Sequence, residues 1–507
     1  MKLTRLNQQI RNAFNQNNFD KVIAVYQHAK ACTDVDVLYI IAYCYSKKGL
    51  HEEAVLIWEK ILTYEFNTAV DYNLGIDLKA LNRFEEAIDC FKQVLTCEEN
   101  VGAYVHLINI LITTKQYRQA EHFINLSQHL SQDIVNLKLD ILVDTNRLEE
   151  ALTFLSEEET IFSYVKQGSI YHRLKNYDKA EYFFKKVMSM SSDKEEEQYL
   201  IHCAEYYLGD TFLSQGRYSE GFPLKELRFG YKDVNRLVLP FPMWKGEDLV
   251  GKSIILVAEQ GSGDQIQFCR YFKHVEKLGP TQLTIGCPSN LKRLFDSSFS
   301  YEILEKVHSS ISYDYWTYYP SIPAYLPIDV PKEVPYLKVD PALVEKWRNI
   351  LPKGFLVGLV WKGSPTHLND KDRSLKDLSI LYPLWENCAT FVCLQIDNVT
   401  DQEKMSTEFP ICKYDVKDFA DSAAIIENLN LVIAIDSSII NLVGALGKKG
   451  WVMLSKHYTD WRWGTDDWYP TVTKFCQQTD GDWSTVVQEM SRELKQLRTS
   501  VTSLRCP

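Results

Sequence analysis

The feature that most constrains this chain is a repeat. Ala54, Ala87 and Ala120 stand 33 residues apart, and Ala151, Ala180 and Gly221 continue the series less regularly. Four residues after the first five comes a large apolar side chain: Trp58, Phe91, Ile124, Leu155 and Phe184. A turn pair precedes each small residue: Lys48-Gly49, Leu81-Asn82, Lys115-Gln116, Thr145-Asn146, Lys175-Asn176 and Gln215-Gly216. Each repeat carries two stretches of helical apolar spacing, such as Leu74, Gly75 and Leu78 before the turn and Ala87, Ile88, Phe91 and Val94 after it. A small residue lets two helices cross closely, and the large one a turn later fills the adjoining groove. No such unit buries its apolar face alone, so successive pairs must stack.

This pattern resembles the tetratricopeptide repeat, over roughly Asn17–Arg228. A superhelix of such repeats presents a concave face suited to a peptide or protein. Tyr39, Tyr72, Asn73, Tyr104 and Asn109, on the first helices, are candidates to line it. The other readings are a spacer or a dimerisation arm, the latter making the protein a homo-oligomer.

The pattern changes after Phe229. A connector rich in Pro and Trp runs from Val238 to Lys252, and strand-like runs then alternate with helical ones. Ser253–Ala258 leads to Gln265–Leu278, and Gln282–Cys287 to Asn290–Phe295. A second series starts at Phe355–Trp361. It continues through Thr390–Leu394, Ala420–Asn428, Leu431–Ile435, Ser438–Leu446 and Trp451–Leu454. Strands with short helical crossovers imply parallel sheets. Two such halves leave a cleft at the carboxyl ends of their strands. The expected layout is a repeat domain over 1–235, one half over 236–340 and a second over 341–507.

Bulk composition narrows the partners. The 507 residues carry a net charge of −11, which disfavours nucleic acid. The apolar runs are strand-sized rather than membrane-spanning, and Met1–Asp20 lacks a signal-peptide core, so a cytoplasmic protein is expected. The 12 cysteines include no CxxC pair and read as buried free thiols, with no zinc site.

Three constellations follow strands. The first is "EQGSGD", Glu259–Asp264. The second is "WKGSPTHLNDKDRSL", Trp361–Leu375. The third is "AIDSSIINLVGALG", Ala434–Gly447, where Ser437 and Ser438 stand at a helix start suited to phosphate. A dinucleotide fingerprint fails at Ile266, where a third glycine is needed, and there is no G-x-S-x-G elbow or P-loop lysine.

These blocks resemble the repeat-fused bacterial glycosyltransferases related to heptosyltransferases. The resemblance rests on E-Q-G-x-G-D-x-[IL]-Q-F-x-R-Y at Glu259–Tyr271, G-L-V-W-x-G-x-P-x-H-x-N-D…R-S at Gly358–Ser374, and the block Asp418–Gly447. "DWRW" at Asp460–Trp463 and "WYPT" at Trp468–Thr471 also fit. The resemblance implies a GT-B architecture: an all-α repeat superhelix followed by two Rossmann-like domains facing a cleft. The acceptor side falls to the N-terminal half and the nucleotide-sugar to the C-terminal half. It implies inverting, metal-independent transfer from a nucleotide-sugar to a protein acceptor, at a Ser or Thr hydroxyl presented by the repeats. No cofactor is expected. The alternatives are a catalytically degenerate scaffold, or transfer to a glycan or lipid.

Asp264 matches the family's general base; its other reading is a helix cap. Glu259 is the fallback base, or half of a salt bridge. Lys362 and Arg373 are candidates to offset the diphosphate charge, or members of a solvated loop. His367 is a candidate phosphate or sugar contact, or an ordinary loop histidine. Asp370 and Asp372 spell D-K-D but are read as non-metal. Asp436, Ser437, Ser438 and Asn441 are assigned to the donor pocket, and Gly261, Gly263 and Gln267 to the acceptor side of the cleft. The family has His where this chain has Asn441, which can donate a hydrogen bond but carries no charge. Asn430 likewise replaces an acidic residue.

Overall fold

The computed structural model describes residues 2–27, 32–127, 131–155, 159–230, 237–307, 311–326, 328–367, 369–387, 389–395 and 411–503. The expected boundary at 235/236 lies outside them. Packing divides the chain into two units, Met1–Phe154 and Leu155–Pro507.

The first unit is helical. It contains α1 (Lys2–Asn15), α2 (Phe19–Gln27), α3 (Val35–Lys47), α4 (His51–Leu62), α5 (Thr68–Ala80), α6 (Phe84–Cys97), α7 (Val101–Thr113), α8 (Tyr117–Leu126) and α9 (Gln132–Asp144), and α10 (Leu148–Leu155) closes it. Asp34, Asn67, Asn100 and Ser131 cap the first helices of successive pairs, each accepting backbone N–H bonds. The turn inside each pair uses one left-handed residue: Gly49, Asn82, Lys115 and Asn146. These lie in the turn pairs expected from the sequence. Ala54, Ala87 and Ala120 are fully buried. A Cβ on Gly75 would lie 2.8 Å from the Phe91 ring, so the large residue of one helix fills the space that the small residue of its partner leaves. Tyr39 stacks edge-on against Trp58, its hydroxyl taking a 2.9 Å bond from Asn73 Nδ2, and Tyr72 packs against Phe91. The candidate tyrosines of the concave face are thus partly core, and all five candidates are half-buried.

The second unit opens with four more helices: α11 (Ile161–Arg173), α12 (Tyr177–Met188), α13 (Glu195–Ser214) and α14 (Tyr218–Lys225). The same devices recur. Thr160 caps α11, Lys175 and Gly216 are left-handed, and Gly168 accommodates the Phe184 ring.

Two parallel sheets follow. The first contains β1 (Ser253–Val257), β2 (Gln282–Gly286), β3 (Glu302–Leu304) and β4 (Tyr315–Tyr318), in the order β3-β2-β1-β4. Its helices are α15 (Ser262–Phe268), α16 (Phe272–Glu276), α17 (Ser289–Ser298) and α18 (Ile322–Tyr325). The second contains β5 (Leu356–Val360), β6 (Thr390–Cys393), β7 (Ile411–Cys412), β8 (Leu431–Ile435), β9 (Gly450–Leu454) and β10 (Val472–Cys476), in the order β10-β9-β8-β5-β6-β7. It is flanked by α19 (Pro341–Ile350), α20 (Asp370–Arg373), α21 (Tyr382–Trp385), α22 (Phe419–Glu427), α23 (Ser438–Ala445) and α24 (Ser484–Ser503).

The fold class is as expected: helical repeats, then a parallel-sheet α/β region. The detail differs. The run expected as one helix over Gln265–Leu278 breaks at a 3-10 turn, Cys269–Tyr271. β3, β4, β7 and β10 were not anticipated. In the second sheet the strand order reverses between β5 and β8, and in the first between β1 and β4. Such switch points open crevices at the strands' carboxyl ends.

Candidate functional site

A cleft of about 620 Å³ opens at those carboxyl ends. After β1, the backbone turns through Gln260, left-handed at φ 65°, into α15. Gly261, not Asp264, is the N-cap, and Asp264 lies in the first turn. The cap reading of Asp264 therefore does not hold. Neither glycine has a positive φ. A Cβ on Gly263 would fall 2.8 Å from Asn441 Nδ2 and 3.4 Å from Ser438 Cα. Gly263 thus lets α15 approach the start of α23, rather than clearing room for a sugar. At Gly261 a Cβ would meet only Asp264 Oδ2, at 3.7 Å, leaving the cleft side open.

From the second sheet, β8 delivers Asp436, Ser437 and Ser438. Ser437 is the N-cap of α23 but makes no side-chain cap bond, and its Oγ is buried without a partner. The first N–H groups of a helix have no partner within it, so the start of α23 and this hydroxyl together suit an anionic ligand. Asn441, one turn on, also lines the cleft. After β5 come Lys362, His367 and Arg373. Arg373 Nη1 donates to the Asp436 carbonyl at 3.0 Å, and a Cβ on Gly363 would stand 2.6 Å from Arg373 Nη2. Asp370 accepts from Ser374 Oγ at 2.7 Å and from Arg373 Nε at 3.5 Å. Among the described residues no group of three or more His, Cys, Asp or Glu is placed to hold a metal ion.

Ten of the twelve expected site residues converge on this cleft. Two do not. Glu259 pairs with the buried Arg228, whose Nη2 reaches Oε2 at 2.8 Å and whose Nε reaches Oε1 at 3.0 Å. It is the salt bridge of its alternative reading. Gln267 is fully buried on α15, and neither of its amide atoms has a partner.

The structure adds residues that the sequence did not single out. The segment between β9 and β10 folds back so that Arg462 Nη2 binds Asp264 Oδ1 and Arg462 Nη1 binds Asp460 Oδ2, the latter at 2.8 Å. Asp264 therefore enters the cleft as half of an ion pair. Burial first, then the charge of Asp460, pushes the Asp436 carboxyl up to about 6. The same segment packs on the last helices. A Cβ on Gly464 would lie 2.3 Å from the Ser214 carbonyl oxygen, and Tyr218 OH bonds Thr465 Oγ1 at 2.8 Å. Arg173 stacks on Tyr458, its guanidinium 3.8 Å from the ring centre. Helix α11 thus contributes His172 and Arg173 to the cleft wall. "DWRW" carried a signal for Arg462, since a cation between two tryptophans is unusual for a surface loop. His172 left none, because repeat spacing distinguishes only core from surface.

Comparisons with known proteins agree with the repeats. A tetratricopeptide repeat family model matches residues 163–194. Protein FlbA of Caulobacter vibrioides is 28% identical over 326 residues, covering 57% of this chain and 54% of FlbA. The chain thus spans about half the length of that curated relative. A glycosyl transferase family 9 structure from Veillonella parvula aligns over 51% of this chain and all of its own, at 9% identity and a TM-score of 0.37. A tetratricopeptide repeat protein from Parabacteroides merdae aligns over 46% of this chain and 94% of its own, at 14% identity and a TM-score of 0.36. Among the described residues no helix is long and apolar enough to cross a membrane.

Proposed function

We propose that this protein is a glycosyltransferase. It moves a sugar from a nucleotide-sugar to a hydroxyl of a protein acceptor brought by the helical repeats, with inversion and without a metal. One observation carries the reading. The uncapped start of α23, with the unpartnered Ser437 hydroxyl, shares a cleft with Lys362 and Arg373 and faces Asp264 of the other sheet. Helix N–H groups and two cations suit a diphosphate leaving group, whose charge grows as the glycosidic bond breaks. Inversion needs a proton acceptor on the opposite face of the sugar, and Asp264 is the candidate from the sequence.

Calorimetry with UDP-, GDP-, ADP- and CMP-sugars tests the donor end. One nucleotide class is expected to bind, and Lys362→Ala or Ser437→Val to weaken it about tenfold, roughly 1.4 kcal/mol. Chelation with EDTA is expected to leave binding and transfer unchanged. No binding by any member of the panel would favour the scaffold reading. Mass spectrometry of co-expressed acceptor proteins, with and without Asp264→Ala, tests the acceptor end: unchanged glycosylation in the variant would remove Asp264 from the reaction.

A further inference from the structure

A second cavity, of about 350 Å³, adjoins the cleft. Its walls come from α13 and α14, through Tyr206, Asp210 and Lys225, and from Trp461. His172, Asp264, His367, Asp460 and Arg462 line both spaces. A group reaching from one space into the other must pass these side chains. Two of them are histidines, and their hydrogen bonds fit opposite tautomers.

Thr211 Oγ1 donates its single proton to the Tyr207 carbonyl at 3.0 Å. With that proton on the carbonyl, the hydroxyl oxygen accepts from His172 Nδ1, 3.0 Å away, and Nε2 is the nitrogen that keeps its lone pair. At His367 the logic reverses. The Asn369 N–H donates to Nδ1 at 3.2 Å, so Nε2 carries the proton. Burial holds both rings below the usual histidine value and so keeps them neutral near pH 7. At His172, Lys225 of α14 acts in the same direction, while Asp210 of α13 and Asp460 of the β9–β10 segment oppose it. Tyr177 of α12 packs against the ring, and Asp264 of α15 and Arg462 line the shared space. Asp264, by contrast, already gives one oxygen to Arg462.

We propose that His172, supplied by a helical repeat, is the general base of the transfer, with His367 of the same shared wall as a neutral hydrogen-bond donor. This rests on the transfer reading and deepens it. His172 Nε2 takes the proton of the acceptor hydroxyl as that oxygen bonds the anomeric carbon. The bond from that carbon to the phosphate oxygen breaks, and its electron pair leaves with the nucleoside diphosphate. The imidazolium then returns its proton to water. Asp264 keeps Arg462 in place across the junction.

Two measurements on the full chain test this. In imidazole-¹⁵N-labelled protein, the His172 signals, assigned by their loss in His172→Gln, should show Nε2 unprotonated at pH 7. A protonated Nε2 would overturn the role. For whichever sugar nucleotide of the panel binds, hydrolysis with water as acceptor should fall about 10²–10⁴-fold in His172→Ala, with donor affinity unchanged and partial rescue by added imidazole. The acid limb of the wild-type pH profile should vanish in that variant and persist in Asp264→Asn. An acid limb surviving in His172→Ala would belong to Asp436 and would defeat the proposal. If no sugar nucleotide binds, the transfer reading fails and takes this role with it. If one binds but the tautomer is wrong, the role alone fails.

Discussion

Asp436 is a carboxyl of the cleft held above its ordinary range. Its folded carboxyl titrates at about 6, whereas an unfolded aspartate titrates near 4. Between those values the folded state holds a proton that the unfolded chain has released. Stability from this group is therefore full below about pH 4, declines as pH rises toward 6, and is gone above it. Asp436→Asn should flatten that slope and raise the melting temperature at pH 8 by a few degrees; a slope that survives belongs to another group. Gly363 makes a different point. Any side chain there collides with Arg373 Nη2, so Gly363→Ala should displace the guanidinium and weaken nucleotide-sugar binding about tenfold by calorimetry. The residues that follow strands could be read directly, because parallel sheets put ligands there. What those residues touch could not. Arg462 lies 198 positions from Asp264, and only the packed β9–β10 segment joins them. Gly263 looked like a ligand glycine and proved to be a helix-packing one.

Among the elements, the repeats were the most legible. Small residue, large residue and turn recur because one packing problem is solved repeatedly, and the left-handed turn residues fall where the sequence put them. The caps Asp34, Asn67, Asn100, Ser131 and Thr160 were equally readable in hindsight, each opening an apolar stretch. Gly168→Val would force a side chain into the Phe184 ring and should cost about 1–3 kcal/mol in denaturant unfolding. Strands of two or three residues, such as β7 and β3, carry too few alternations to stand out. β10 does not stand out because Thr473 and Lys474 interrupt its apolar residues. Gly464→Ala tests the contact between the β9–β10 segment and α13. The obstacle is the Ser214 backbone, which cannot rotate aside, so a loss of about 3 kcal/mol is expected, together with a looser Asp264–Arg462 pair.

Across the second unit, one buried cation ties the parts together. Arg270, on the 3-10 turn after α15, donates to the Trp468 carbonyl at 2.9 Å, to Tyr336 OH at 3.2 Å and to the Pro331 carbonyl at 3.3 Å. It also lies against the rings of Tyr336, Trp468 and Tyr469. It joins the first sheet's helix layer to the segment linking the halves and to the segment before β10. Arg270→Met leaves those carbonyls unpaired and should cost about 3 kcal/mol or more, read as a fall of several degrees in melting temperature. The order of elements and the position of the cleft were legible from alternation alone. The membership of α11–α14 in the second unit was not, because their sequences look like any other pair in the array. What sets them apart is the surface they meet: Tyr218 and Gly216 are ordinary repeat residues until Thr465 and the β9–β10 segment pack beside them.

That packing has a consequence for how such proteins can be recombined. The visible seam, where helices give way to strands, is the wrong place to cut, since an α/β region grafted there would lose His172, Arg173 and the support beneath Gly464. The packed unit that holds the cleft begins at Leu155. The last two helical pairs travel with the chemistry.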